Sequence, residues 1–353
     1  MIFYYCLYFL LAFKSIEETR AVNTFKKSTQ NFLIIFLSLL IGLRYQVGCD
    51  WDQYEMIFGL FRDGFSESWN KVEPSFALIN SIFSKFEFGI YFVNLFCAVL
   101  FSYCLIKFCK SLPRPWLGLC VAYPYLIMVV AMGYTRQSVS IALSLLAFLA
   151  LEKGQFYKSI FYILLGITFH RSGAFFLFAP LLYTFQNASR FNNFLKLIIM
   201  IILGYYFIDN FVLYQLDVYR IGYLSANLSS SGSLIRIILC VIPSLIFIFN
   251  LNKFKISKIY KNIFIVMTLL SIISLVALRF SPSSTAIDRL ALNILPIQIF
   301  VASYIPDLGI FNLDKFTWKF LIILSVFIIL SVWLIFATHA FCWIPYRNII
   351  YQL

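Results

Sequence analysis

The sequence predicts an all-α fold: a polytopic integral membrane bundle of about twelve transmembrane helices, some of them short for a hydrocarbon core about 30 Å thick. Three observations predict it. Of the 353 residues 62% are hydrophobic and only 12% charged, with a mean hydropathy of +0.88, whereas a soluble domain carries roughly 25% charged residues. Forty-one Phe and twenty-two Tyr suit a large bundle with aromatic belts at its interfaces. Finally, lysine and arginine sort into alternate connections between the apolar runs.

The first run, 1–14, lacks the basic leader and small-residue cleavage site of a signal peptide and reads as a retained short span. The second, 31–44, is followed by 44–87, the longest segment outside the spans and a long outer loop by this reading. Runs 88–107, 116–133 and 135–152 come next, the last two nearly without a loop at 133–136. Runs 156–170 and 172–186 meet in the same way, and 195–213, 234–250, 262–279, 288–305 and 318–338 complete the series. No linker, low-complexity stretch or repeat interrupts them, so residues 1–353 read as one membrane domain.

One set of connections holds 17 basic residues, 14 of them Lys, against five acids (Glu17, Glu18, Glu152, Asp307 and Asp314). It runs from Lys14, Arg20 and Lys26 through Lys107, Arg114, Arg190 and Lys196 to Lys315 and Lys319. The other set holds 11 basic residues, nine of them Arg, against ten acids. Lysine-rich short loops mark the cytoplasmic side, which puts both termini outside. Arginine gathered on the opposite face needs another reason. A ligand with phosphate or carboxylate groups supplies it, because the planar guanidinium grips such oxyanions with paired bonds. The net charge of +13 lies mostly in short loops, where it meets anionic lipid rather than nucleic acid.

The eight cysteines form no C-x-x-C and no Cys/His cluster, so neither a metal nor another cofactor is expected. Cys49 and Cys342 share the outer side and are expected to stay unpaired. P-loop, G-x-S-x-G and H-E-x-x-H motifs are absent. Asp209 alone approaches an intramembrane acid, so a proton-coupled transporter lacks its relay.

The outer segments carry the candidate chemistry. Gly42-Leu43-Arg44-Tyr45-Gln46-Val47-Gly48-Cys49-Asp50-Trp51-Asp52-Gln53-Tyr54 crowds an arginine, two carboxylates and three aromatics together. It reads as a sugar site or, equally, as an interfacial aromatic belt with a solvated acidic loop. Phe58, Phe61 and Phe65 recur at helical spacing, a hint of an amphipathic helix on the membrane. Arg136 in Met132-Gly133-Tyr134-Thr135-Arg136-Gln137-Ser138 opens a helix, where free N–H groups and the dipole favour an anion. The plainer reading is snorkelling to headgroups. His170 and Arg171 sit at another outer corner, and His170 serves as catalyst or structural hydrogen-bonder. Arg279 and Arg289 lie on the same face, Asp288 reads as a helix cap, and Trp343-Ile344-Pro345-Tyr346-Arg347 adds an aromatic turn beside a structural His339.

These clusters resemble the EpsG/Wzy-type family of bacterial polysaccharide polymerases, which includes O-antigen polymerases. The likeness lies in Arg44-Tyr45-x-Val47-Gly48-x-Asp50-x-x-x-Tyr54, Gly133-x-x-Arg136-Gln137, His170-Arg171-Ser172-Gly173-Ala174 and the Arg289 segment, over roughly residues 30–300. In the third motif Ser172-Gly173-Ala174 is offset by one from the pattern expected after the histidine.

The resemblance implies a GT-C-like membrane fold acting at the periplasmic face of the bacterial inner membrane. The growing glycan would pass from undecaprenyl pyrophosphate to a terminal hydroxyl of an incoming lipid-linked repeat, without a metal. Its implied partners are the lipid-linked oligosaccharide and membrane lipid, with a chain-length regulator and a flippase nearby. On this reading Arg136, Arg171 and Arg289 clamp the pyrophosphate, with Arg44 and Arg279 as lesser members. Asp50 is the first choice of general base and His170 the second. Tyr45, Trp51, Asp52, Tyr54 and Gln137 would shape the sugar groove. Rival readings are a lipid-linked oligosaccharide flippase or exporter, an O-antigen ligase, and a noncatalytic scaffold. A flippase should line a cavity open to both sides with basic residues, whereas these arginines gather on one face.

Overall fold

The computed structural model describes residues 1–18, 25–64, 68–69, 71–186, 198, 230, 232–281 and 283–352. They form helices and connecting turns, with no strand among the described residues; an isolated antiparallel bridge joins Arg44 to Asn348. Apart from residue 198, the expected span 195–213 with Asp209 lies outside the described residues, as do Arg20, Phe65, Arg190, Lys196 and Arg220. Contacts divide the chain into two compact units. The first comprises Met1–Leu146, Leu165–His170 and Ala302–Leu353, the second Ala147–Leu164 and Arg171–Val301.

Helices α1 (Ile2–Glu17), α2 (Lys27–Gly42), α5 (Gly89–Ser111), α6 (Pro115–Ala122), α7 (Thr135–Glu152) and α8 (Phe156–Phe169) coincide with expected apolar runs; between α2 and α5 lie α3 (Trp51–Arg62) and α4 (Pro74–Phe83). Later in the chain come α9 (Phe178–Gln186), α10 (Ser233–Phe249), α11 (Lys258–Phe280), α12 (Ser284–Ala291), α13 (Pro296–Tyr304) and α14 (Lys315–Phe336). Local chemistry sets several boundaries. The Asp314 carboxylate accepts from Phe316 N at 3.0 Å and Thr317 N at 3.2 Å to open α14. Pro74 and Pro115 occupy first turns, where a missing N–H costs nothing.

Four details depart from the sequence reading. The 44–87 segment is not a plain loop: it holds α3 and α4. Alternating charge hides the buried face of α3, where Trp51, Tyr54, Ile57, Phe58 and Phe61 turn into the unit. The run 116–133 begins as α6 and continues as a π-helix over Tyr123–Ala131. The expected helix 172–186 opens as a 3-10 segment, Arg171–Leu177. The last correction concerns 288–305, which starts four residues early at Ser284 and bends by 44° before Pro296, a residue that removes a donor and crowds the preceding turn.

By length and composition α5, α11 and α14 suffice to cross a bilayer, and the bent pair α12–α13 makes a fourth. Helices α2, α8 and α10 are apolar but shorter. In the first unit α2 lies against α5, a close approach that Gly42 permits, since a Cβ there would meet Leu95 Cα at 2.6 Å. Helix α1 packs on α6 and α14, and Tyr8 donates its hydroxyl to Ile323 O at 2.6 Å. In the second unit α10 packs on α11 and α12. Phe264 and Phe300 stack there at 3.7 Å, with Phe247 edge-on.

Candidate functional site

In the first unit, the segment leaving α2 is fastened by a buried arginine. Arg44 is 1% exposed. Its Nη1 donates to Ile41 O at 2.7 Å, Nε to Val47 O at 3.2 Å, and Nη2 to Thr135 Oγ1 at 2.7 Å and Asn94 Oδ1 at 3.5 Å. Enclosed in this way, Arg44 braces the segment against the start of α7 and presents no fork to a ligand. That corrects its expected place among the clamp arginines.

Next to the brace, backbone meets backbone. Gly48 has φ +98°, and a Cβ on it would lie 2.4 Å from Met132 O and 3.0 Å from Gly133 Cα. Gly133 in turn sits under the Trp343 ring, where a Cβ would approach Cζ2 to 2.7 Å. Only glycine fits either place. The Trp343 indole donates to Met128 O at 2.9 Å. The C-terminal turn is then tied back. Gly48 N donates to Cys342 O at 2.9 Å, Tyr45 N to Arg347 O at 3.0 Å, and Arg347 to Gln46 Oε1 at 3.1 Å. A disulfide joins Cys49 to Cys342, with Cα atoms 5.1 Å apart. The expectation of unpaired thiols is therefore overturned, because the fold brings together cysteines 293 positions apart.

Asp50 stands at the start of α3, partly exposed, and Asp52 is exposed. Trp51 and Tyr54 are buried, at 5% and 6% exposure. Protein neighbours occupy their rings: Tyr45, Tyr91 and Arg44 around Trp51, and Phe76 and Arg136 around Tyr54. These two rings serve more naturally as walls than as open stacking faces, while half-buried Tyr45 keeps access to solvent.

Arg136, in the first turn of α7, carries the densest chemistry. Its Nη1 bonds Glu73 Oε2 at 2.7 Å, and it also hydrogen-bonds Tyr54. The Tyr54 and Phe76 ring centroids stand 5.9 and 5.7 Å from the guanidinium carbon, within cation–π range. Glu73 is placed by its neighbour: Pro74 opens α4, and the Glu73 carbonyl accepts the first helical bond, from Ala77 N at 2.9 Å. Side-chain exposure is 6% for Glu73 and 19% for Arg136. The buried Arg136 Nε has no hydrogen-bond partner among the described residues. Ser75 and Thr168 share a hydroxyl bond of 2.7 Å, bringing the end of α8 beside the first turn of α4. His170, two residues on, is half-buried, and its carbonyl accepts from Ser140 Oγ at 3.4 Å. Gln137 is buried next to Arg136.

The second unit holds Arg171, Arg289 and Arg279. Arg171 and Arg289 are half-buried, and Arg279 is exposed in the last turn of α11. Ser172 Oγ donates to Asn293 Oδ1 at 3.3 Å, so the hydroxyl of the offset motif holds the segment carrying Arg289. Asp288 does not cap α12, since it lies well inside the helix. It faces Arg236, whose Nε donates to Oδ1 at 2.5 Å, and Ser230 joins the pair. No group of three or more His, Cys, Asp or Glu suited to a metal occurs among the described residues.

The sequence profile of the EpsG family matches residues 29–348, which span both units and every motif named above. The chain belongs to the EpsG family. Comparison with curated proteins and with solved structures gives no match. Membership makes this a membrane protein of polysaccharide biosynthesis, polymerase-like and of glycosyltransferase type. Within the EpsG-family chain, the first two motifs and the end of α8 meet in one unit, while Arg171, Arg279 and Arg289 belong to the other. Sequence reasoning missed Glu73 and Arg236. An acid just before a helix-opening proline and an aspartate inside a short helix were the available signals.

Proposed function

We propose that this chain is a Wzy-type polymerase of the bacterial inner membrane. It would extend O-antigen or a related surface glycan at the periplasmic face. The growing chain leaves undecaprenyl diphosphate and joins the terminal hydroxyl of an incoming lipid-linked repeat. The observation that carries the reading is Arg136 in the first turn of α7, held between Glu73 and two aromatic rings. A guanidinium and a helix N-terminus together suit a departing diphosphate. Arg171, Arg289 and the exposed Arg279 are the second unit's candidates for binding an anionic group. Asp50, partly exposed near Tyr54, and half-buried His170 are candidates for taking the acceptor proton. Tyr45, Asp52 and Gln137 would meet sugar, with Trp51 and Tyr54 as walls. A chain-length regulator and a flippase are the expected partners.

Sidedness supports the reading. Pairs Arg114–Asp307, Lys315–Asp307 and Lys14–Glu17 join groups assigned to the cytoplasm, and Arg136–Glu73, Arg236–Asp288 and Arg62–Asp63 join groups assigned outside. A disulfide between outer segments also suits an oxidising compartment.

The test is a surface-polysaccharide gel on a host lacking this gene, complemented with wild type or Arg136→Ala. A single-repeat cap in the deletion, and a ladder restored by wild type alone, are expected. Loss of even the single repeat would point instead to a flippase or ligase.

A further inference from the structure

Glu73 and Arg136 are engaged with each other, yet the guanidinium is not saturated. Arginine offers five N–H donors; here one nitrogen serves Glu73, a bond goes to Tyr54, and buried Nε has no partner among the described residues. Arg114 has an idle Nε too, so what sets Arg136 apart is its place in the first turn of α7, between the Tyr54 and Phe76 rings, where a helix N-terminus adds to the attraction for an anion. A buried ion pair is moreover weak evidence of stabilisation, because its desolvation penalty offsets the attraction. The carboxylate is nearly enclosed, one bond from a group suited to an oxyanion, and the Ser75–Thr168 bond fixes the turn that carries it.

We propose that Glu73 is a stand-in anion on Arg136 and, once displaced by the donor diphosphate, the general base of the transfer. The inference rests on the donor reading above and replaces Asp50 and His170 in the proton-accepting role. In the resting protein the ion pair keeps the carboxylate occupied. Diphosphate binding recruits the spare donors and releases it. The acceptor hydroxyl then gives its proton to Glu73 while its oxygen bonds the anomeric carbon. The bond from that carbon to the diphosphate oxygen breaks, and its electron pair leaves with the lipid diphosphate beside Arg136. Base activation would thereby wait for the donor, which protects the site from idle hydrolysis.

The experiment measures binding of undecaprenyl diphosphate to purified protein, with polymer formation alongside, for wild type, Glu73→Gln and Arg136→Ala. Removing the competing carboxylate should tighten binding in Glu73→Gln about 10-fold, equivalent to about 1.4 kcal/mol. Polymer formation should fall by roughly 10²- to 10⁴-fold, the range for a lost general base. Arg136→Ala should lose both. Wild type that makes polymer, with Glu73→Gln binding more weakly or polymerising normally, overturns the role of Glu73 alone. Wild type that neither binds nor polymerises removes the donor reading as well. A second measurement needs no variant: labelling of Glu73 by dicyclohexylcarbodiimide should rise when undecaprenyl diphosphate is added. Unchanged or reduced labelling in diphosphate-binding wild type overturns release of the carboxylate.

Discussion

Two charged clusters of the first unit handle buried charge in opposite ways. On the lysine-marked side, Arg114 grips Asp307 through two nitrogens at 2.5 and 3.0 Å, and Lys315 reaches the same carboxylate at 3.2 Å. Glu18 accepts from Trp116 N at 3.0 Å and Leu117 N at 3.2 Å, while Lys319 donates to the carbonyls of Ile16 and Glu18. There the acids close helix ends and meet cations, as structural clasps do. On the arginine-marked side, Arg44 bonds only neutral acceptors among the hydrogen bonds described, and Arg136 shares one carboxylate while keeping a donor idle. The Nε of Arg114, like that of Arg136, is buried without a hydrogen-bond partner among the described residues, so the clusters differ in what surrounds the guanidinium: a carboxylate shared with Lys315 on one side, two aromatic rings on the other.

The largest effect that would break this contrast lies at Arg136. Arg136→Lys should cut polymer formation about 100-fold or more, since a lysine cannot reproduce the planar fork. Arg114→Lys should leave the folded fraction active and cost about 2 kcal/mol of stability. Equal catalytic loss in both, read on polysaccharide gels normalised to folded protein, would abolish the distinction. Arg44→Lys comes next: it keeps the charge but loses bonds to the brace, for about 2–4 kcal/mol in thermal unfolding. A stable Arg44→Lys protein with impaired donor binding would return Arg44 to the ligand set.

Cleaving the disulfide, by Cys49→Ser with Cys342→Ser or by reductant on wild type, should lower stability by about 2–4 kcal/mol. Reductant should leave the double variant's melting point unchanged. The smallest effect is on pH. Burial pushes the Glu18 carboxyl up to about 7 from 4.5, against its two N–H bonds and nearby Arg114 and Lys319. The folded state then holds this proton more tightly than the unfolded one. Stabilisation from that proton is complete below about pH 4.5 and is lost as pH rises through about 7, by roughly 1–3 kcal/mol. Glu18→Gln should flatten that slope in melts taken from pH 5 to 8.

Long apolar runs such as 88–107 and 318–338 were legible in the sequence because hydropathy needs no knowledge of neighbours. Helix α3 was half legible: Phe58 and Phe61 kept helical spacing, but Asp52, Glu55 and Arg62 on its exposed face masked the apolar one. Arg136 stood out as a cation at a helix start on the disfavoured side. Its partner did not, since nothing local links Glu73 to a residue 63 positions away. Arg44 looked like a ligand for the same reason: sequence shows a charge at a span's end, and only packing shows that the protein has enclosed it.

The bond between Cys49 and Cys342 also dates the assembly of the site. Its partners are 293 residues apart, so during synthesis the segment after α2 emerges long before the turn that secures it. Until α14 has been inserted, Cys49 has no mate and Trp343 cannot cover Gly133. The segment bearing Asp50 is therefore among the first parts made and the last to be locked, and a chain stalled before its final helix would carry an open thiol at that place.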